Sequence, residues 1–121
     1  MKRLVSVLLI AVMLFAVSGM ALAADYKIGV VTGTVSQGED EYRGAENVSR
    51  KYGDMIKHVI YPDNFMQEQE TTISQIVQLA SDPDVKAVVI CQAVPGTVAA
   101  IRRVKDMRPD VVFVLGTPHE D

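Results

Sequence analysis

The sequence has no tryptophan and a single cysteine, Cys91. Because a disulfide needs two cysteines, an internal disulfide is excluded. Cys91 lies in the apolar run AVVICQ, where a buried small hydrophobic side chain is the ordinary interpretation. A reactive thiol and an intermolecular bridge are the alternatives. The two histidines, His58 and His119, stand far apart, with no C-x-x-C or H-E-x-x-H pattern beside them. We therefore expect no metal site and no cofactor.

Basic residues are also few. The chain has 12 Lys and Arg against 15 Asp and Glu, a formal net charge of −3. Proteins that bind nucleic acid use Lys and Arg to neutralise phosphates, and the basic pair Arg102-Arg103 is predicted to lie on a solvated helix face. The charge balance therefore argues against nucleic acid as a partner.

Motifs for catalysis are missing as well. The chain has no G-x-S-x-G elbow. Cys91 and a histidine also lack a plausible third residue that would complete a catalytic triad. Asp63 and His119 could meet at the edge of a predicted sheet, which keeps an enzyme as the alternative. The favoured expectation is that the protein is not an enzyme and has no catalytic residues.

Residues 1–23 have the pattern of a secretory signal peptide. Lys2 and Arg3 precede a long apolar run, and Ala21 and Ala23 form an A-x-A exit. A membrane-spanning helix over residues 4–23 is the alternative, since the run is just long enough. We expect cleavage before Ala24, a periplasmic or secreted protein, and no membrane insertion afterwards. Losing two positive charges would take the net charge from −3 to −5.

Four short segments rich in Val and Ile follow, and each is predicted to be a strand. The last two are nearly continuous apolar runs, typical of parallel strands buried on both faces. The segments are YKIGVVT (Tyr26–Thr32), MIKHVIY (Met55–Tyr61), KAVVICQ (Lys86–Gln92) and VVFVLG (Val111–Gly116).

The three intervening segments show helical spacing. In the first, a capping box is predicted at Ser36-x-x-Glu39, and Gly53 is the predicted stop. The third has Thr97 as its predicted cap. Along the first helix, four residues are predicted to share one apolar side: Tyr42, Ala45, Val48 and Tyr52.

The order β-α-β-α-β-α-β predicts an open, doubly wound parallel α/β sheet, with a (β/α) barrel as the alternative. Residues 24–121 are expected to form one domain. Because VVFVL would present an unprotected apolar edge if it were outermost, we expect this domain to be incomplete. A truncated reading frame or a fragment without function of its own would then be the explanation.

The loop after the first predicted strand, TGTVSQGED, has the glycine spacing of a phosphate-binding loop at Gly33 and Gly38. However, Glu39 and Asp40 replace the Lys and Ser/Thr of that motif. Carboxylates at a helix start repel a phosphate, and Val35 stands where the Rossmann pattern needs glycine. A bound nucleotide is therefore not expected.

The loop instead offers hydroxyls and an amide, which suit a small polar and neutral ligand. In an open parallel sheet, the carboxyl ends of the strands meet at one edge. Polar groups also follow the other three predicted strands, in YPDN, QAVPGT and GTPHE. Their convergence at one edge predicts a binding site there.

The segments DYKIGVVTGTVSQGEDEYRGAENVSRKYG and TTISQIVQLASDPDVKAVVICQAVPGT resemble the N-terminal lobe of type I periplasmic binding proteins, the soluble receptors of ABC importers. More narrowly, CQAVPGT is similar to the exported bacterial family DUF3798. The resemblance implies a Rossmann-like lobe, a second lobe joined by a hinge, a small-molecule ligand between them and a membrane permease as partner.

By position, the resemblance implies that the ligand contacts residues after the strands. These are Thr34, Ser36, Gln37, Gln92 and Thr117, with Tyr61 as the nearest aromatic side chain. Sugar receptors of this kind stack an aromatic ring on the sugar, and these loops lack one, so a sugar is not favoured.

Overall fold

The computed structural model describes residues 26–119, in which four strands alternate with three helices. The predicted signal peptide lies outside the described residues. Within 26–119, no helix combines the length and apolarity needed to cross a membrane. The elements are β1 (Lys27–Thr32), α1 (Val35–Tyr52), a 3-10 turn (Gly53–Met55), β2 (Ile56–Ile60), α2 (Gln69–Ser81), β3 (Val85–Ala93), α3 (Thr97–Met107) and β4 (Val112–Pro118).

The four strands form one open sheet in the order β2-β1-β3-β4, and every neighbouring pair is parallel. The predicted open α/β sheet is therefore confirmed. After β1 the chain moves to one side to form β2, then crosses back over β1 to form β3. The point where the strand order reverses therefore lies between β1 and β3, and ligands of open α/β sheets collect at the carboxyl side of such a point.

Right-handed crossovers place α1 on one face of the sheet and α2 with α3 on the other. The close approach of α2 is visible at Gly29 of β1, where an added methyl group would lie 2.6 Å from Leu79 Cδ2. A glycine at this position thus lets the Leu79 side chain pack directly on the backbone of the central strand.

The main core lies between the sheet and the helices α2 and α3. Val88 and Ile90 of β3, Ile76 of α2 and Val104 of α3 are completely buried there. On the opposite face, Ala45 is the buried residue of α1, while Val48 is 39% exposed and Tyr52 is 50% exposed. The apolar side predicted for α1 is thus only partly covered, because α1 alone spans this face of the sheet.

The helix ends differ from the sequence predictions at two places. The capping box at Ser36-x-x-Glu39 is wrong, because α1 begins at Val35, its N-cap Thr34 makes no side-chain cap bond, and Gly38 breaks the helical geometry. Thr97 is not the cap of α3: Gly96 occupies that position, and the Thr97 hydroxyl donates to Val94 O at 2.7 Å.

The end of α1 follows the prediction. Gly53 has φ 59°, a left-handed conformation that side chains other than glycine rarely adopt, and its N–H donates to Ser49 O.

The amino ends of the strands are held by charged groups. Asp82, just after α2, accepts hydrogen bonds from Lys57 of β2 and from Lys27 of β1, the latter at 3.3 Å. The guanidinium of Arg108 donates to the backbone oxygens of Ala80, Asp82 and Val85. These contacts pair the donors and acceptors of the connecting loops with one another, so this edge of the sheet has a structural role.

Candidate ligand-binding site

The carboxyl ends of the strands form the opposite edge, which we call the carboxyl edge. Two clusters of polar side chains lie on it. The first joins the loops after β1 and β2, and the second joins α1 to the ends of β3 and β4. Both contain residues predicted from the sequence, and the second lies at the reversal point between β1 and β3.

In the first cluster, Asp63 is the common acceptor. Its Oδ1 accepts a hydrogen bond from the Thr34 hydroxyl and another, at 3.0 Å, from the Ser36 hydroxyl. The Gln37 side-chain amide donates to the backbone oxygen of Asp63. Three residues predicted from the loop after β1 are thus brought together by Asp63 in the loop after β2, two through its carboxylate and one through its backbone oxygen.

The two hydroxyls and Asp63 Oδ1 form a closed set of contacts. The Thr34 and Ser36 oxygens lie 2.8 Å apart and both contact Asp63 Oδ1, so these contacts use the single proton of each hydroxyl. Lone pairs of the hydroxyl oxygens remain available. Toward a ligand, the first cluster is a group of hydrogen-bond acceptors.

The second cluster is centred on Gln92, near the end of β3. Its amide nitrogen donates to Glu41 Oε1 of α1 at 2.9 Å, and its amide oxygen lies 3.2 Å from His119 Nε2. His119 is held after β4 by its backbone N–H, which donates to Ala93 O at 3.0 Å. Gln92 thus connects α1, β3 and the segment that follows β4.

Two acceptor oxygens at this edge are buried without a hydrogen-bond partner: Gln37 Oε1 and Glu41 Oε2. Neither Glu41 nor Asp63 takes part in an ion pair within residues 26–119. Buried acceptors without donors are costly, and native proteins leave few of them. The carboxyl edge therefore has unfilled acceptor capacity and negative charge.

Tyr61 has a different place from the one predicted. It is only 2% exposed, and its ring packs edge-on against Phe65 with 5.6 Å between centroids. Its backbone N–H donates to Thr32 O, so it lies beneath the loop rather than on the surface. Burial, with the nearby Glu41 carboxylate, raises the pKa of the Tyr61 hydroxyl. Tyr61 thus supports the first cluster from below and presents no ring face for stacking.

Thr117 is exposed near the end of β4, where its backbone pairs with Gln92. The structure therefore places it beside the second cluster, on the outermost strand. Asp63 and His119, the pair considered for catalysis, lie in different clusters, since Asp63 binds Thr34 and Ser36 while His119 contacts Gln92.

Sequence reasoning did not assign a binding role to Glu41. In the sequence it simply follows Glu39 and Asp40, the carboxylates that argue against a bound phosphate. The break at Gly38 turns the following helix so that Glu41 reaches Gln92, and a hypothetical methyl group at Gly38 would lie 3.4 Å from Glu41 Oε2. The glycine inside the helical segment was the one available signal. Within residues 26–119, no group of His, Cys, Asp and Glu side chains could hold a metal ion.

A family model described as "Protein of unknown function (DUF3798)" matches residues 26–121. Two uncharacterized proteins of Treponema pallidum (strain Nichols) are also similar. The first is 32% identical over 109 residues, covering 84% of this chain and 49% of the relative. The second is 44% identical over 45 residues, covering 37% of this chain and 21% of the relative. The chain spans about half the length of the first relative.

A solved structure from Clostridium difficile 630, named "Putative transcriptional regulator", is similar in fold, with a TM-score of 0.69 and 31% sequence identity. The match covers 80% of this chain and 30% of that chain. The α/β arrangement of this chain is therefore shared with one part of a larger protein.

Proposed function

Because this chain belongs to the family described as "Protein of unknown function (DUF3798)", we propose that it is the first lobe of an exported receptor for a small polar ligand. The ligand binds at the carboxyl edge and is closed in by a second lobe. In this proposal residues 1–23 direct export to the periplasm or the medium, and a membrane permease of an ABC importer is the partner.

The observation that carries the proposal is that side chains from all four strand ends form two polar clusters on the same edge of the sheet. Ser36 and Asp63 join the ends of β1 and β2, and Gln92 and His119 join those of β3 and β4. These groups are polar, mostly accessible and next to the reversal point of the strand order, where open α/β sheets bind ligands. The opposite edge, by contrast, is occupied by its own ion pairs.

The hydrogen-bond directions define the ligand more closely. Since the hydroxyl protons of Thr34 and Ser36 are used in contacts with each other and with Asp63, and two further acceptor oxygens have no partner, the ligand must supply donors. Hydroxyl or amine groups do so, whereas phosphates and carboxylates do not. A small compound rich in hydroxyl or amino groups is therefore the proposed ligand class.

A two-lobed receptor is consistent with the lengths of the matched proteins, because this chain covers 49% of one relative and 30% of the solved structure. A single lobe makes half of the ligand contacts, and closure requires contacts from both sides. Such a pair of lobes can serve a transport receptor or a ligand-sensing regulator. Ligand sensing is therefore the second candidate function of the same site. The named regulator from Clostridium difficile 630 is the observation that favours it.

The test is a thermal-shift screen of the full-length protein against small polar metabolites. A ligand present at 100 times its Kd stabilises the native state by about 2.7 kcal/mol. We expect a compound with several donors to raise the Tm, and we expect Ser36→Ala and Gln92→Ala to remove this shift. Ser74→Ala, on the exposed surface of α2, is the matched control and should keep it. A shift that persists in both site variants would place the ligand elsewhere, and turnover of the compound would favour an enzyme.

A further inference from the structure

A cavity lies on the face of the sheet that carries α1 and reaches up to Glu41 of the second cluster. It is a groove of about 580 Å³. Its floor is formed by β1 and β3 and one wall by α1. The lining is almost entirely apolar and includes Ile28, Val30, Val48, Val89 and Cys91.

The apolar surface continues beyond the groove onto β4. Val112 and Val114 pair with Ala87 and Val89 of β3, so they point to the same face of the sheet as the groove. They are 57% and 52% exposed. Two helices therefore cover one face of this parallel sheet, whereas α1 alone leaves part of the other face bare. Parallel sheets occur almost only with both faces covered.

We propose that this groove is the seat of an amphipathic helix supplied by the other half of the full-length family protein. The first Treponema pallidum relative is about twice as long as the part that this chain matches, so a further segment of similar size exists in that protein. A helix lying beside α1 would cover Val48 and Tyr52 on one side and the β4 valines on the other.

The handedness of the crossovers limits which helix this is. A right-handed connection from β4 to a strand beyond it would place its helix on the face of α2 and α3. The helix in the groove must therefore come from a segment that returns to this lobe after leaving it, rather than from the next βα unit. The groove thus predicts that the two halves of the full-length protein share a core on the α1 side.

Cys91 provides the probe, because it lines the groove and is the one cysteine of the chain. The experiment uses the full-length Treponema pallidum relative with a single cysteine at the position aligned with Cys91. We expect its maleimide labelling in the folded state to be at least ~100-fold slower than in denaturant, because labelling then needs local opening. A cysteine at the position aligned with the exposed Ser74 is the control and should react freely.

A second measurement identifies what covers the groove. A bifunctional thiol reagent placed at the same cysteine should cross-link to the half of the relative that this chain does not match. Free labelling of the groove cysteine, at the rate of the exposed control, overturns the proposal. So does a dimer mass by light scattering together with cross-links only between two copies, which would make the groove a dimer interface.

A pair of neighbouring variants keeps the test independent of labelling. At the positions aligned with Val48 and Asn47, lysine substitutions add the same charge to the same helix. Val48 lines the groove, whereas Asn47 is exposed on α1. In the full-length protein we expect Val48→Lys to lower the Tm and Asn47→Lys to leave it unchanged. Equal effects of the two would contradict a helix in the groove.

Discussion

The Ser36 hydroxyl donates a hydrogen bond to Asp63 Oδ1 at 3.0 Å, across 27 positions of the chain. This bond joins the loop after the central strand β1 to the loop after the edge strand β2. Together with the bond from Thr34 to the same oxygen, it fixes the conformation of the polar loop before any ligand binds. Such preorganisation reduces the entropy that binding must overcome.

Replacing Asp63 with alanine should release the loop after β1. The variant loses two hydroxyl–carboxylate bonds at an exposed site, so we expect the free energy of unfolding to fall by about 0.5–1.5 kcal/mol. Asp63→Asn keeps an acceptor oxygen and should retain most of this stability. Urea denaturation followed by circular dichroism measures both, and an Asn variant as unstable as the Ala variant would contradict the hydrogen-bond account.

The contact of Gly29 with Leu79 predicts that any side chain at position 29 destabilises the fold. A methyl group at Gly29 would lie 2.6 Å from Leu79 Cδ2, and Leu79 is a buried core residue. We expect Gly29→Ala to lower the free energy of unfolding by about 1–3 kcal/mol through overpacking.

The matched control for this substitution is Gly44→Ala in α1, where an added methyl group meets nothing within 4 Å. Alanine is a better helix former than glycine, so this variant should be more stable by about 0.5–1 kcal/mol. If both substitutions change the free energy of unfolding in the same direction, side-chain contact with α2 does not explain the glycine at position 29. The Gly29→Ala and Leu79→Ala double variant should show a coupling energy, because the two changes act on one contact.

The strands could be predicted closely from the sequence. Their apolar runs are bounded by charged residues, glycine and proline, and the observed limits differ from the predicted ones by at most two residues. The beginning of α1 could not be predicted in the same way, since Thr34 makes no side-chain cap bond and Gly38 has a non-helical backbone. Local capping patterns describe a regular helix start, and this helix does not have one.

The candidate site was accessible to sequence reasoning only in part. Thr34, Ser36 and Gln92 could be placed at one edge because parallel strands end together. The depth of Tyr61 could not be predicted, since it depends on Phe65 and on the loop above it. The contribution of Glu41 depends on the turn at Gly38, a tertiary feature without a periodic pattern.

Acid should weaken the amino edge of the sheet. Hydrogen bonds from Lys57, and to a lesser degree the other contacts of Asp82, hold the pKa of this carboxyl well below its usual range. A lowered folded-state pKa means that its stabilisation is present above the ordinary Asp pKa of about 3.9 and is lost as the pH falls through the folded value. We expect Asp82→Asn to flatten this part of the stability profile. Unfolding titrations between pH 5 and the acid limit of about pH 2 measure it.

His58 should cause a separate loss of stability at higher pH than Asp82. Its ring nitrogen Nε2 lies 2.7 Å from the Thr32 hydroxyl, and its ring packs near Tyr42 with 5.2 Å between centroids. Since the Thr32 hydroxyl donates its single proton to Gly33 O, Nε2 is the donor in this contact. Partial burial lowers the pKa of His58, and the Glu46 carboxylate offsets this only in part.

The folded state therefore binds a proton at His58 less readily than the unfolded chain does. The free energy of unfolding should fall as the pH decreases from about 7 through the ordinary His pKa of about 6.5 and on to the lower folded value. His58→Gln keeps a donor but does not titrate, so its stability should be constant over this window. His119→Gln, at the exposed end of the chain's described part, is the control and should keep the wild-type slope. If the slope disappears in the His119 variant and persists in the His58 variant, the partly buried His58 ring is not the group that titrates.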